Sequence, residues 1–389
     1  MARVDETAVV LLSQVEWNLV WVFSQALATG LDRLGYRVIY TNPLPKRLPG
    51  VGEWPRVLER LLDRPQLAGY SGHARPPRVR LATPLALPDT HPLFTRLNQW
   101  LCVPLVARRL RRWLRGARHV VVIVFLPFPT PVELARALAP DLLIYACRSN
   151  WVADASARQT RLVEDELFQR ADLVLASGSY LEQKAREQGA TVLNWPAMVD
   201  FASFNSLTQQ DRPERQGPPR CGFFGHVNDR IDVELLRQVS LSYPLRIVGP
   251  VSIPLPELAP GSEVVGMVPH QDLPRYLQDV DVFLFPYRHN AFTAGIFPFK
   301  LFECFATGRP VVATGLPNLA PYEDLVYLSQ THDEFLAQIE HATHESPDLS
   351  ARRIGVARQN SSEVWMDALS RWIMSHLRVQ PAERSCHEC

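Results

Sequence analysis

The sequence predicts an α/β chain of two Rossmann-like domains, each built on a parallel sheet, facing a cleft. Three observations predict it. Short apolar, β-branched runs such as Val120-Val121-Val122-Ile123-Val124 and Val311-Val312-Ala313-Thr314 do not alternate with polar residues, which is the pattern of strands buried on both faces. Stretches with helical spacing separate these runs, so strand and helix take turns along the chain. The alternation breaks at residues 206–220, SLTQQDRPERQGPPR, which are polar, proline-rich and aperiodic and read as a linker. A chain of 389 residues is long enough for about two such domains.

The first domain, residues 1–205, opens with a strand at 8–12, a helix over 19–34 and a strand at 38–40. Sequential strands joined this way pair in parallel. The loop from Ser13 to Asn18 then lies at the carboxyl end of a strand, where doubly wound sheets bind ligands. It has no glycine-rich dinucleotide fingerprint, which argues against a nicotinamide-dependent oxidoreductase. Glu16 in this loop either faces an acceptor or caps the helix. Residues 43–88 are rich in Pro and Arg and show no readable element. Residues 93–114 are strongly helical. They carry Arg108, Arg109, Arg111 and Arg112, with Arg115 just beyond, beside Leu101, Leu105, Trp113 and Leu114. Such a helix either lies on an anionic membrane surface or forms a solvated face packed on the first sheet. Strands at 120–125 and 142–146 follow, the second leading into Arg148-Ser149-Asn150, with Asp154 the next carboxylate. A helix and strand through 164–177 and a helix over 180–188 complete the domain.

The second domain, residues 221–350, begins with a strand at 221–224 that delivers Gly225 and His226 into a polar loop ahead of a helix at 233–239. Backbone amides in such a loop favour a phosphate. Arg230 in the loop either neutralises an anion or pairs with Asp229 or Asp232. Further strands are expected at 245–248, 264–269, 280–286 and 311–314, with helices at 273–277 and 335–342. Residues 351–380 form helices, and residues 381–389 a tail.

Composition narrows the function. With a net charge of +1 there is no global case for binding nucleic acid. No apolar stretch is long enough to span a bilayer, so a cytoplasmic protein is expected, with peripheral contact to the inner face of the plasma membrane if the Arg108–Arg115 helix provides it. Cys102, Cys147, Cys221 and Cys304 sit in expected core elements and read as small reduced hydrophobes. Cys386 and Cys389 lack a second ligand pair, so no metal site is expected there. Asp279-Val280-Asp281 has a spacing used for metals, but it begins a strand, away from the end where ligands gather, and reads as structural.

The stretch of residues 290–319, NAFTAGIFPFKLFECFATGRPVVATGLPNL, carries the most information. A small-residue loop, Thr293-Ala294-Gly295, runs into Pro298, which suits a first helical turn. The helix expected from Pro298 places Lys300 and Glu303 on one face near its start. Lys300 is one of only three lysines, with Lys46 and Lys184, in a chain whose other cations are Arg; a lysine kept here suggests a need for a compact ammonium.

The pattern P-x-K-x-x-E, followed by a small residue and G-x-P-V-V-A-T-x-x-P, resembles the donor-site signature of GT-B glycosyltransferases of the glycosyltransferase four-like group, which build bacterial cell envelopes and exopolysaccharides. The resemblance implies two Rossmann-like domains, the C-terminal one binding a nucleotide-sugar donor and the N-terminal one a carbohydrate or lipid-linked acceptor, with residues 351–380 crossing back. It implies that Glu303 binds the ribose hydroxyls and that Lys300 and Arg230 meet the diphosphate. Gly225 and His226 would approach the phosphates, Met267 and Val268 the nucleobase, and Thr293, Ala294 and Gly295 the donor. The sugar donor is a co-substrate, and no cofactor or metal is expected. The sequence departs from the pattern in two places. Gly295 stands where many relatives have a first glutamate, and Arg148-Ser149-Asn150 replaces an Asp proposed in some as a general base, leaving Asp154 as the candidate. The missing base leans towards retention of configuration, where the departing phosphate serves as base. Three readings stay open: a metal-independent hexosyltransferase, a catalytically silent nucleotide-sugar-binding protein, and a nucleotide-sugar epimerase.

Overall fold

A computed structural model describes residues 3–18, 21–44, 75–152, 158–208, 217–290 and 292–379. It holds two all-parallel sheets. The first comprises β1 (Thr7–Leu12), β2 (Arg37–Thr41), β3 (Val79–Ala82), β4 (His119–Val124), β5 (Leu142–Cys147), β6 (Leu173–Ala176) and β7 (Val192–Asn194), in the order β3-β2-β1-β4-β5-β6-β7. The second comprises β8 (Cys221–Phe224), β9 (Leu245–Val248), β10 (Glu263–Gly266), β11 (Val282–Phe285), β12 (Val311–Thr314) and β13 (Tyr327–Ser329), in the order β10-β9-β8-β11-β12-β13. In each sheet the order reverses beside its first strand, and a crevice opens there at the carboxyl ends.

The apolar runs are buried on both faces, as their lack of alternation implies. In β1, Val9 and Leu11 belong to one core cluster, Val10 and Leu12 to the other. The closing helix Ser362–Val379 places Met366, Leu369 and Ile373 in the first lobe's core beside Leu27 and Leu31. Gly30 is what lets it approach, since any Cβ there would strike Met366. The chain crosses between lobes twice, and the crossings meet: Val199 pairs with Ser361 as a parallel bridge, and the rings of Trp195 and Trp365 stack 5.1 Å apart.

Several expectations shift. The segment 43–88 is not without structure, because β3 lies in its last part; residues 45–74 fall outside the described residues. The first helix begins at Phe23, four residues later than its apolar spacing suggests, because Gln25 turns its side chain back to accept from Val22 N. The long helix over 93–114 is three pieces, Pro92–Leu97, a π segment Asn98–Cys102 and Val103–Leu114. Buried Asn98 exchanges two 2.8 Å hydrogen bonds with the Leu87 backbone, which ties the bulge to the loop beneath it. The helix expected from Pro298 starts at Leu301 and runs only to Ala306. Pro298 instead opens a turn closed by Leu301 N donating to its carbonyl.

Candidate functional site

The second sheet brings Lys300 to the carboxyl end of β8. Its ammonium donates to the Phe224 carbonyl and lies 4.0 Å from the Phe223 ring centroid. Gly225 follows with φ of +123°, a conformation that suits glycine, and a Cβ there would sit 2.7 Å from the Lys300 nitrogen. The Gly225 loop and Lys300, each expected near the diphosphate, lie side by side. Burial against these rings pulls the ammonium down to about 8, with Cys304 and Glu303 opposing it.

Glu303 lies one turn on, and its carboxylate oxygen is 2.7 Å from His270 Nε2. His270 begins the turn after Val268-Pro269, so the pair ties the expected nucleobase loop, Met267 and Val268, to the Lys300 helix. Sequence reasoning missed His270. Its only signal was its place directly after that loop, and the 33-residue separation from Glu303 hid the contact.

The loop before Lys300 is self-braced. Thr293 Oγ1 donates to the Arg288 carbonyl at 2.5 Å, while Asn290 Oδ1 accepts from Thr293 N at 2.8 Å and Ala294 N donates to the Asn290 carbonyl. The Thr293 hydroxyl is thus engaged inside the loop. Gly295 packs on the first lobe, where a Cβ would sit 3.1 Å from Asn150 Cβ and 3.6 Å from the Tyr180 ring. The space of a longer side chain at 295 is occupied by those two residues.

Arg230 pairs with neither Asp229 nor Asp232. Its guanidinium stands 4.6 Å over the Phe292 ring, and its carbonyl accepts from Arg288 N, which places it against the same loop. Asp232 instead caps the helix Val233–Ser242 and meets His332 at 2.9 Å. His226 is 2.8 Å from Ser252 Oγ, and its pKa is lowered by burial and then by Arg230.

On the facing lobe, Arg148 ends β5. It is buried, its guanidinium 3.9 Å from the Phe23 ring and 4.8 Å from Phe299, and it donates to the carbonyls of Trp195 and Pro196. Desolvation pulls it down to about 9, Cys147 opposing. Asp154 lies outside the described residues. Behind β5 sits a group that the sequence did not flag. Glu164 is fully buried, 2.6 Å from Lys184 and 2.8 Å from Tyr145 Oη, and Lys184 also reaches Asn150 Oδ1 at 3.4 Å. The loop after β1 is pinned by Tyr40 Oη, 2.6 Å from Ser13 Oγ, and by Gln25 Nε2 on the Glu16 carbonyl at 3.2 Å.

Asp279 and Asp281 stand at the opposite end of β11. Asp279 pairs with Arg220 at 3.3 Å and with Arg246, and Asp281 accepts from Arg220 N at 2.7 Å. Both tie strands together.

Residues 220–344 match the family described as Glycosyl transferases group 1. The chain is 28% identical over 301 residues to the putative teichuronic acid biosynthesis glycosyltransferase TuaH of Bacillus subtilis (strain 168), an alignment spanning 68% of this chain and 73% of that one. Among solved structures it resembles a trehalose-6-phosphate protein from E. coli bound with UDP-2-fluoro glucose (TM-score 0.63, 10% identity, 96% of this chain and 100% of that one). Anabaena Alr3699/HepE, in complex with UDP and glucose, superposes with a TM-score of 0.60 at 13% identity over 95% of this chain and 99% of that one. The paired parallel sheets give the chain the GT-B fold of these neighbours, and a group 1 glycosyltransferase domain lies across residues 220–344 of its second lobe.

Proposed function

We propose that this glycosyltransferase moves a hexose from a nucleoside diphosphate sugar, held by residues 221–350, to a carbohydrate or lipid-linked acceptor held by residues 1–205. The observation that carries the reading is the position of Lys300. This ammonium sits at the carboxyl end of β8, beside the positive-φ Gly225, the end at which a doubly wound sheet receives phosphate. Charge developing on the departing diphosphate is met there by Lys300, with Arg230 on the rim. Asp279 and Asp281 are already engaged by arginines at the far end of the sheet, so that triplet is assigned no metal. The complexes of the structural neighbours with UDP and UDP-2-fluoro glucose make uridine diphosphate sugars the first donors to test.

The acceptor side adds a surface. Leu93, Leu97, Trp100, Leu101 and Leu105 are exposed on one face of the helical run, Trp100 at 79%, and Arg108, Arg112 and Arg115 continue that face. Apolar residues followed by cations suit an anionic bilayer, which takes the first into the headgroup boundary and the second at its charge. No helix of the described residues is long and apolar enough to cross a membrane. The proposal is therefore peripheral attachment, at the cytoplasmic leaflet where nucleotide sugars are available. The test is a thermal-shift screen of nucleotide sugars, followed by assay of nucleoside diphosphate release with and without lipid-linked acceptor. Acceptor-dependent release supports transfer; tight binding without release returns the silent reading, and an epimerised sugar without acceptor the epimerase.

A further inference from the structure

We propose that His270 is a positioning residue that aims the Glu303 carboxylate at the ribose diol of the donor, and so determines the preference for ribonucleotides over deoxyribonucleotides. The inference rests on the nucleotide-sugar reading above and deepens it.

A carboxylate can only accept, so the 2.7 Å contact is His270 Nε2–H donating to Glu303 Oε1. Among the described residues the carboxylate has no other hydrogen-bond partner. Both side chains are mostly buried, 16% and 15% exposed, so the bond is little diluted by solvent. The imidazole is held by rings. Phe204 lies 5.8 Å from it, and Trp21, from the loop after β1 in the first lobe, stacks on it at 6.1 Å and 26°. A ring clamped in this way offers its N–H in one direction. One oxygen of Glu303 is then fixed, and the remaining acceptor positions of the carboxylate point as a set. Acceptors fixed in number and direction suit two vicinal hydroxyl donors, the chemistry of a ribose and not of a 2′-deoxyribose. Because Trp21 belongs to the opposite lobe, the aim of Glu303 also depends on the two lobes being together. A residue that merely filled space between Trp21 and Phe204 would need the ring but not its N–H.

That difference sets the experiment. His270→Phe keeps an aromatic ring between Trp21 and Phe204 and removes only the donor; His270→Gln replaces the donor with an amide; His270→Ala is the second loss variant. Binding of the diphosphates of uridine, guanosine and adenosine, and of their 2′-deoxy forms, is measured by calorimetry on the whole chain, with melting curves to check folding. The wild type is expected to prefer the ribose form of its nucleotide by about tenfold, the equivalent of one hydrogen bond to a charged group. His270→Phe and His270→Ala are expected to bring that ratio within about twofold of unity, and His270→Gln to keep most of it. A His270→Phe protein that retains the wild-type ratio overturns the inference and leaves the donor assignment standing. So does a wild type that binds a diphosphate without distinguishing the sugars. A folded wild type that binds none of the three diphosphates overturns the donor assignment itself, and the inference with it.

Discussion

The guanidinium of Arg148, at the end of β5, lies 4.8 Å from the ring centroid of Phe299, the residue immediately before Lys300 in the other lobe. Phe23 covers its second face at 3.9 Å, and the carbonyls of Trp195 and Pro196 take its hydrogens. Arg148 is thus a cation that joins the first lobe to the loop carrying Lys300.

Removing that join should loosen the lobes. Arg148→Ala deletes two hydrogen bonds from a charged group and two ring contacts, and is expected to cost about 3 kcal/mol in urea unfolding. Arg148→Lys keeps the charge but not the flat faces and should recover less than half of the loss. A lysine variant as stable as the wild type would show that charge alone matters there.

Lys300 should set a pH limit on donor binding. Its pKa in the folded chain is about 8, below the ordinary lysine value because of burial. The ammonium is therefore present below 8 and is lost as the pH rises through that value. Affinity for a nucleoside diphosphate should be level up to about pH 7 and decline above 8, while affinity for the nucleoside stays flat. Lys300→Met should weaken diphosphate binding at pH 7 and remove the decline. The same lowered value reverses the sign for stability. Between about 8 and 10.5 the unfolded chain holds the proton more firmly, so this group's contribution to stability rises with pH in that window. Calorimetry and urea titrations at pH 7, 8 and 9 check both.

Glu164 and Lys184 form a pair whose single deletions should be asymmetric with the double. Glu164 is fully buried, and Lys184→Met leaves its charge without a cation, at a cost of about 3 kcal/mol. Glu164→Gln with Lys184→Met removes both charges and should regain most of that. Additive losses in a double-mutant cycle would mean the pair is not coupled.

The stripe from Leu93 to Arg115 can be read by co-sedimentation with vesicles. Trp100→Ala with Leu97→Ala should weaken binding to phosphatidylglycerol vesicles at every salt concentration, because the lost term is apolar. Arg108→Gln with Arg112→Gln should weaken it mainly at low salt. No binding by the wild type at low salt would remove the membrane from the proposed function.

Much of this molecule was legible one residue after another. Strands β8, β9 and β12 fall where their apolar runs end, because a parallel strand buried on both faces must be continuously apolar and its neighbours punctuate it with Gly or Pro. Lys300, Glu303 and Gly225 were singled out as candidates by local features, a glycine after a strand and a cation and an acid three apart, while the roles expected of them came from the resemblance. Local spacing failed where a distant partner decided the outcome. The helical run through 98–102 widened around Asn98, whose amide is held by Leu87. His270 on Glu303, Arg148 between Phe23 and Phe299, and Glu164 on Lys184 join residues 20 to 151 positions apart. Hydrophobic period is a property of neighbours in the chain and determines which elements form. The partner that orients a buried charge is chosen by what the packed sheets bring within 3 Å of it, and only the folded lobes determine that.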